Sequence, residues 1–141
     1  MAAQNNLSTT LNLLNLDILS SFLGISGLLI LILTSYQGKR VLLEPKSNNQ
    51  NSSATINLDL AALTGRLLLV TAGFISANTN TWRLQELVRE ATKNKSRSAA
   101  AAVGPDIWLT LGGWIAFGGG IFALVGDFQR LRNPSRVPVA E

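Results

Sequence analysis

The residue types that most often carry enzyme chemistry are missing from this sequence, which contains no histidine and no cysteine. Their absence excludes disulfides, thiolate metal sites and cysteine nucleophiles, and it removes the usual general base and the usual axial ligand of haem. The sequence also lacks paired carboxylates and a nucleophile–base set in a plausible position. We therefore predict that the protein is not an enzyme, with no catalytic, cofactor-binding or metal-binding residue.

Arg66 is the clearest ionisable side chain inside an apolar segment, and such residues are functional candidates. It would contact an anion or an acid of a partner, or it would be an anchor that extends toward the membrane surface. Asp59 lies two turns earlier on the same side of the predicted helix, and Asp127 is expected at the same membrane face. Asp17 is expected at the opposite face. We expect Arg66 to reach toward Asp59, Asp127 or lipid phosphate, and not toward Asp17.

Three consecutive glycines, Gly118 to Gly120, superficially resemble a phosphate-binding loop. They lie inside an apolar segment, and the lysine with serine or threonine that a P-loop requires does not follow them. Close packing of helices is the better explanation of these glycines.

The segment from Ile107 to Gly126 dominates the organisation of the chain, because it contains no charge. As a helix rising 1.5 Å per residue it covers roughly 30 Å, the thickness of a bilayer's hydrocarbon core. Small residues recur every four positions along it and leave one face nearly smooth, which favours association with another helix in lipid. The predicted packing residues are Gly112, Ala116, Gly119, Gly120 and Ala123.

Residues 17–38 are predicted as a first span, since nothing after Asp17 is charged until the basic pair beyond Gly38. A second smooth face is expected on this helix, formed by small residues at positions i, i+4 and i+7. These residues are Ser20, Gly24 and Gly27.

Residues 57–78 are the ambiguous apolar segment. Arg66 costs about +2.5 to +3.5 kcal/mol near the middle of a span, and the neighbouring apolar residues offset this only approximately. The uncharged run from Leu67 to Trp82 still favours a span. A re-entrant or interfacial helix is the alternative.

The remaining segments are polar or flank the spans. Residues 81–96 have an apolar stripe at helical spacing and predict an amphipathic surface helix, or alternatively a solvated connector that packs on its own protein. Residues 1–16 predict a short surface helix, a backward extension of the first span or a frayed terminus. The other segments are a polar linker at 39–56, a small-residue hinge at 96–103, a third span at 105–131 with Pro105 at its first position, and an extended tail at 132–141.

Aromatic and basic residues are expected to anchor the ends of the spans at the membrane surface. The predicted interfacial anchors are Tyr36, Lys39, Arg40, Trp82, Trp108, Arg130 and Arg132.

These segments predict an all-α fold: a single small multi-pass membrane domain with three transmembrane helices and one amphipathic surface helix. Two spans plus a re-entrant or interfacial helix is the alternative. Three spans place six Lys and Arg residues inside and five outside, whereas the two-span hairpin separates eight from three. Charge thus favours the hairpin, but the length of the apolar segments favours three spans. The N-terminus is then expected outside and the C-terminus inside a bacterial or organellar inner membrane.

Composition indicates lipid, and not nucleic acid, as the environment of the chain. Hydrophobic residues make up 47% of the sequence and charged residues only 14%, against about 25% charged in soluble proteins. The net charge of +4 comes mostly from loops that flank apolar runs, without the basic stripe and interleaved aromatics of a nucleic-acid-binding domain. The expected partners are the lipid bilayer and other membrane helices.

The expected function is helix–helix association, as an accessory, assembly or structural subunit of a membrane complex or as a homo-oligomer. The alternative is a small pore-forming or transport protein, because three spans with a basic tail resemble small phage holins in layout. Against a selective channel, no span carries a ring of acids or a polar stripe along its length.

Overall fold

The computed structural model consists of three long α-helices. It describes residues 2–43, 51–94 and 97–132. The helices are α1 (Ala2–Leu43), α2 (Asn51–Asn94) and α3 (Arg97–Arg132). Each contains a segment that is long and apolar enough to cross a membrane. The prediction of an all-helical chain with three such helices is confirmed.

The helices form an open row in which α2 lies in the middle, antiparallel to both neighbours. Within the described residues, α2 packs along α1 and along α3, whereas α1 and α3 scarcely contact each other. Two neighbouring residues show the arrangement: Gly65 packs on Gly27 of α1, and Arg66 pairs with Asp127 of α3. Consecutive helical residues are about 100° apart, so the two contact faces of α2 point in clearly different directions.

Large apolar side chains stay on the outside of this row. Ile115 is 74% exposed and Phe122 80%, and exposed leucines, isoleucines and aromatics occur on all three helices. The buried apolar residues of the described chain are mainly alanines, with Leu13 the largest of them. This is the reverse of a water-soluble domain, in which large apolar side chains are the most buried.

Two segments that were predicted as separate helices form one continuous helix. Residues 57–78 and the described part of 81–96 both belong to α2, which continues to Asn94. No glycine or proline stands between them, and the hydroxyl of Thr79 donates to the carbonyl of Ile75 in the preceding turn at 2.9 Å. The predicted separate surface helix is therefore corrected to a continuation of α2.

The start of the third helix also differs from the prediction. α3 begins at Arg97 and includes Pro105 in its interior, so the hinge expected at 96–103 is largely helical. Four consecutive alanines precede the proline, and alanine has the highest helix propensity of all residues. Ala99 among them is buried, so packing adds to propensity and the helix begins two turns early.

The ends of the helices extend past the predicted spans. α1 begins at Ala2, which selects the backward extension among the alternatives for residues 1–16. α1 and α2 together take up both ends of the linker that was predicted at 39–56. The middle of that linker at 44–50, positions 95–96 and the predicted tail from residue 133 lie outside the described residues.

Candidate functional site

The interface between α1 and α2 is built on small residues that meet each other. A Cβ atom added to Gly27 would lie 2.6 Å from the carbonyl oxygen of Gly65, and one added to Gly65 would lie 3.0 Å from the carbonyl oxygen of Gly27. One α1 turn away, Gly24 faces the Cβ of Ala72 at 3.8 Å. The buried hydroxyl of Ser20 donates to the Ala72 carbonyl at 2.9 Å. The small residues predicted on the first span thus lie against α2.

The interface between α2 and α3 pairs glycines with larger groups. A Cβ on Gly120 would lie 2.9 Å from Cγ2 of Val70, and a Cβ on Gly113 would lie 3.3 Å from the Cα of Ala77. On α2, a Cβ added to Gly73 would lie 3.6 Å from the Cα of Phe117 of α3. Gly113 was not among the predicted packing residues, although it follows Gly112 directly.

Three aromatic rings lie at the same interface. Phe74 packs on Phe117 with ring centroids 5.3 Å apart, and Trp114 meets both rings edge-on at 6.4 and 5.8 Å. The Trp114 indole Nε1–H donates to the Thr81 hydroxyl at 3.0 Å. Such aromatic pairs add to the contact that area burial gives, so the cluster holds α3 in one rotation about its axis.

Arg66 forms an ion pair with Asp127 of α3. The sequence left Asp59, Asp127 and lipid phosphate open as partners, and the structure brings Asp127 to it. The side chain of Asp127 is only 13% exposed, and that of Arg66 is 39% exposed. The two contacting atoms, Nε of Arg66 and Oδ2 of Asp127, are both buried.

A second ion pair joins Asp17 of α1 to Arg83 of α2. Asp17 is therefore away from Arg66, as the three-span topology requires. The partnership with Arg83 was not predicted, because residues 81–96, which include Arg83, were assigned to a separate surface helix. The pair could have been predicted from the positions of the two residues in the sequence. Asp17 directly precedes one apolar run and Arg83 directly follows another, so antiparallel helices bring them to the same end.

The two ion pairs bracket an uncharged layer of the helix row. Arg66 and Arg83 are about 25 Å apart along α2 at 1.5 Å per residue, close to the roughly 30 Å of a bilayer's hydrocarbon core. Each pair also ties α2 to a different neighbour. Charge is thus confined to the two ends of this layer and is paired where the helices meet.

One face of α3 has no neighbour within the described chain. A Cβ added to Gly112 or Gly119 meets no atom within 4 Å, and Ala116 between them is exposed. Ala123 on the same face is half-buried. Gly120 was expected on this smooth face but packs on Val70, because it lies about 100° around the helix from Gly119. We call Gly112, Ala116, Gly119 and Ala123 the open face of α3.

The residues predicted as interfacial anchors are exposed. Trp108 is 74% exposed, Tyr36 71% and Trp82 53%. The basic residues of this group are exposed as well: Lys39, Arg40, Arg130 and Arg132.

The described helices bring no three acidic side chains together in a way that would hold a metal ion. No family model matches the chain, and neither a curated protein nor a solved structure is significantly similar to it. The features of the molecule that bear on function are its two interfaces, its ion pairs and the open face of α3.

Proposed function

We propose that the chain is a non-enzymatic integral membrane protein that acts by association with other membrane helices. It would serve as an accessory, assembly or structural subunit of a membrane complex, or as a homo-oligomer. The single observation that carries this proposal is the open face of α3, where no described atom lies within 4 Å of a Cβ added to Gly112 or Gly119 and where Ala116 is exposed.

Placement in a membrane is supported by the exposed surface of the helix row. Large apolar side chains on all three helices point away from the protein, where water would penalise them and acyl chains would not. The charged residues that interrupt the apolar runs occur at the two ends and pair with each other. The proposal includes three spans with the N-terminus outside and the C-terminus inside, in a bacterial or organellar inner membrane.

Association through α3 is supported by the way the other small residues are used. In lipid there is little hydrophobic drive between helices, so close backbone approach at small residues supplies the attraction. Gly27, Gly65 and Gly113 already make such contacts inside the chain. Gly112 and Gly119 offer the same chemistry outward, and a helix of another chain is the natural occupant.

A pore-forming function has less support from the polar side chains. The hydroxyls of Thr64, Thr71 and Thr79 each donate to a carbonyl one turn earlier in their own helix. These hydroxyls are hydrogen-bonded without water, so they do not by themselves indicate a polar path. Collapse of the membrane potential on expression in a bacterial host would nevertheless favour the pore.

Adding bulk to the open face tests the proposal. Gly119→Leu is expected to reduce the multimer or co-purified complex in mild detergent severalfold, because a leucine side chain keeps the partner backbone at a distance. Gly118→Leu is the matched control, since Gly118 also has no atom within 4 Å but points about 100° away around the helix.

Cross-linking and size-exclusion chromatography in detergent give the readout, and circular dichroism checks that both variants stay helical. Equal assembly of Gly119→Leu and the wild-type chain would overturn the proposal. Equal loss in both variants would also overturn it, because the effect would then not belong to the open face.

A further inference from the structure

Charge is distributed unequally between the two ends of the helix row. We call the end with the α1 C-terminus, the α2 N-terminus and the α3 C-terminus the basic end. Among the side chains that the structure describes, five cations and two acids belong to it: Lys39, Arg40, Arg66, Arg130 and Arg132 with Asp59 and Asp127. The opposite end balances four cations with four acids: Arg83, Arg89, Lys93 and Arg97 with Asp17, Glu86, Glu90 and Asp106.

The surplus charge of the basic end is also the part that faces outward. Lys39, Arg130 and Arg132 are exposed, whereas Asp127 is turned into the α2–α3 interface and Asp59 is half-buried. Both acids are thus partly buried, whereas Lys39, Arg130 and Arg132 are exposed. Among the described side chains, an approaching anion therefore meets mainly positive charge at this end.

Arg66 adds a cation to this surface in a fixed position. Its Nε atom is buried against Asp127, which fixes the guanidinium, while 39% of the side chain is exposed. A guanidinium held in this way keeps donors in a planar arrangement that matches two oxygens of a phosphate.

We propose that the basic end binds the headgroups of anionic phospholipids. This inference rests on the membrane placement proposed above, because only then does the basic end lie at the level of the headgroups. Anionic leaflets attract basic residues that directly flank membrane helices. The opposite end has the smaller surplus of positive charge even when Lys95, which follows α2 in the sequence, is counted. Its attraction is therefore weaker, and the protein also gains a preferred orientation, with the basic end toward the more anionic leaflet.

The test uses the full chain in vesicles of phosphatidylcholine and phosphatidylglycerol in equal amounts. After mild extraction, the lipids that stay bound are identified by native mass spectrometry. We expect severalfold enrichment of phosphatidylglycerol over phosphatidylcholine on the wild-type chain. The double variant Arg130→Gln and Arg132→Gln is expected to lose most of this enrichment.

The matched control is the double variant Arg89→Gln and Lys93→Gln, which removes the same charge from exposed helix positions at the opposite end. It is expected to keep the enrichment. No preference in the wild-type chain, or equal loss in both variants, would overturn the lipid assignment. Displacement of phosphatidylglycerol by soluble inorganic phosphate would also overturn it, since a simple phosphate site would then explain the binding.

Flotation of the vesicles separates this inference from the proposed function. If the chain floats with the vesicles and resists alkaline extraction but shows no lipid preference, only the lipid inference fails. If the chain does not float with vesicles of either pure or mixed composition, the membrane placement fails and the inference falls with it.

Discussion

The two interfaces of α2 achieve close helix contact by different means. On the α1 side, Gly27 and Gly65 face each other. A Cβ added to either glycine would first meet the backbone carbonyl oxygen of the other. On the α3 side, Gly120 faces the tip of the Val70 side chain, whereas Gly113 and Gly73 face the Cα atoms of Ala77 and Phe117 at 3.3 and 3.6 Å. The tightest contact is thus with a backbone carbonyl at the α1–α2 interface and with a side-chain end at the α2–α3 interface.

This difference determines what each interface tolerates. A backbone carbonyl in a continuous helix moves only if the whole helix moves, whereas a side chain can change its rotamer or be shortened by mutation. The α1–α2 interface is therefore expected to be rigid and specific for glycine. At the α2–α3 interface, the Gly120–Val70 contact is expected to accept compensating changes, because its obstacle is a side-chain end.

The largest effect is expected for Gly27→Ala. Its new Cβ would lie 2.6 Å from the Gly65 carbonyl oxygen, so α1 must move away from α2. Overpacking of this kind costs about 1–3 kcal/mol, and the better helix propensity of alanine returns at most about 1 kcal/mol. We expect a net loss of about 2 kcal/mol in the free energy of unfolding, measured by denaturation in detergent micelles.

Gly38→Ala is the control for this variant, since no atom lies within 4 Å of a Cβ at Gly38. It is expected to leave stability unchanged or slightly higher. A Gly27→Ala chain as stable as the control would show that the Gly27–Gly65 contact does not set the distance between α1 and α2.

An intermediate effect is expected when the ion pairs are broken. Asp127→Asn leaves the Arg66 guanidinium partly buried without its counter-charge, and Asp127 itself is only 13% exposed. Because Arg66 is 39% exposed, solvent screens part of the cost, and we expect a loss of about 1–2 kcal/mol. Asp17→Asn breaks the more exposed pair and is expected to cost less than about 1 kcal/mol.

Unfolding of both variants at neutral pH and constant salt gives this ranking. The double variant Arg66→Met and Asp127→Leu is expected to recover most of the loss, because it removes both charges together. A larger loss for Asp17→Asn than for Asp127→Asn would reverse the order that burial predicts.

The smallest effect is expected for Gly120→Ala. The obstacle to its Cβ is Cγ2 of Val70 at 2.9 Å, the end of a side chain, so a loss of about 1 kcal/mol or less is expected. Combining it with Val70→Ala removes the obstacle and should restore the contact. The coupling free energy from the double-mutant cycle is the measurement. If the Gly120→Ala and Val70→Ala changes showed no coupling free energy, the Val70 side chain would not be the obstacle at Gly120, and this contact would not differ from the Gly27–Gly65 contact in the way described.

The first and third apolar helices could be located from the sequence, because twenty or so residues without charge have few alternatives to a long helix. The second was ambiguous, because Arg66 leaves an uncharged run only from Leu67 to Trp82. The sequence also indicated the small residues of α1, since Ser20, Gly24 and Gly27 form a single stripe on an otherwise bulky helix. It limited the partners of Arg66 to a few, because antiparallel helices bring only certain acids to its end.

The extent of the helices was decided by tertiary packing and by local propensity together. The polar half of α2 and the alanines before Pro105 are helical in continuity with the apolar segments. A change from apolar to polar residues suggests the end of a helix, but the backbone hydrogen bonds of a helix continue through such a change unless glycine or proline intervenes.

The face of α3 that packs inside the chain could not be predicted from the sequence and is set by tertiary contacts. Gly112 and Gly113 are neighbours of equal size, yet Gly113 packs on Ala77 and Gly112 faces outward. Periodicity fixes the angle of a residue on its own helix but not the direction in which the neighbouring helix lies. Since α3 carries small residues on more than one side, that direction depends on where the side chains of α2, such as Val70, leave room.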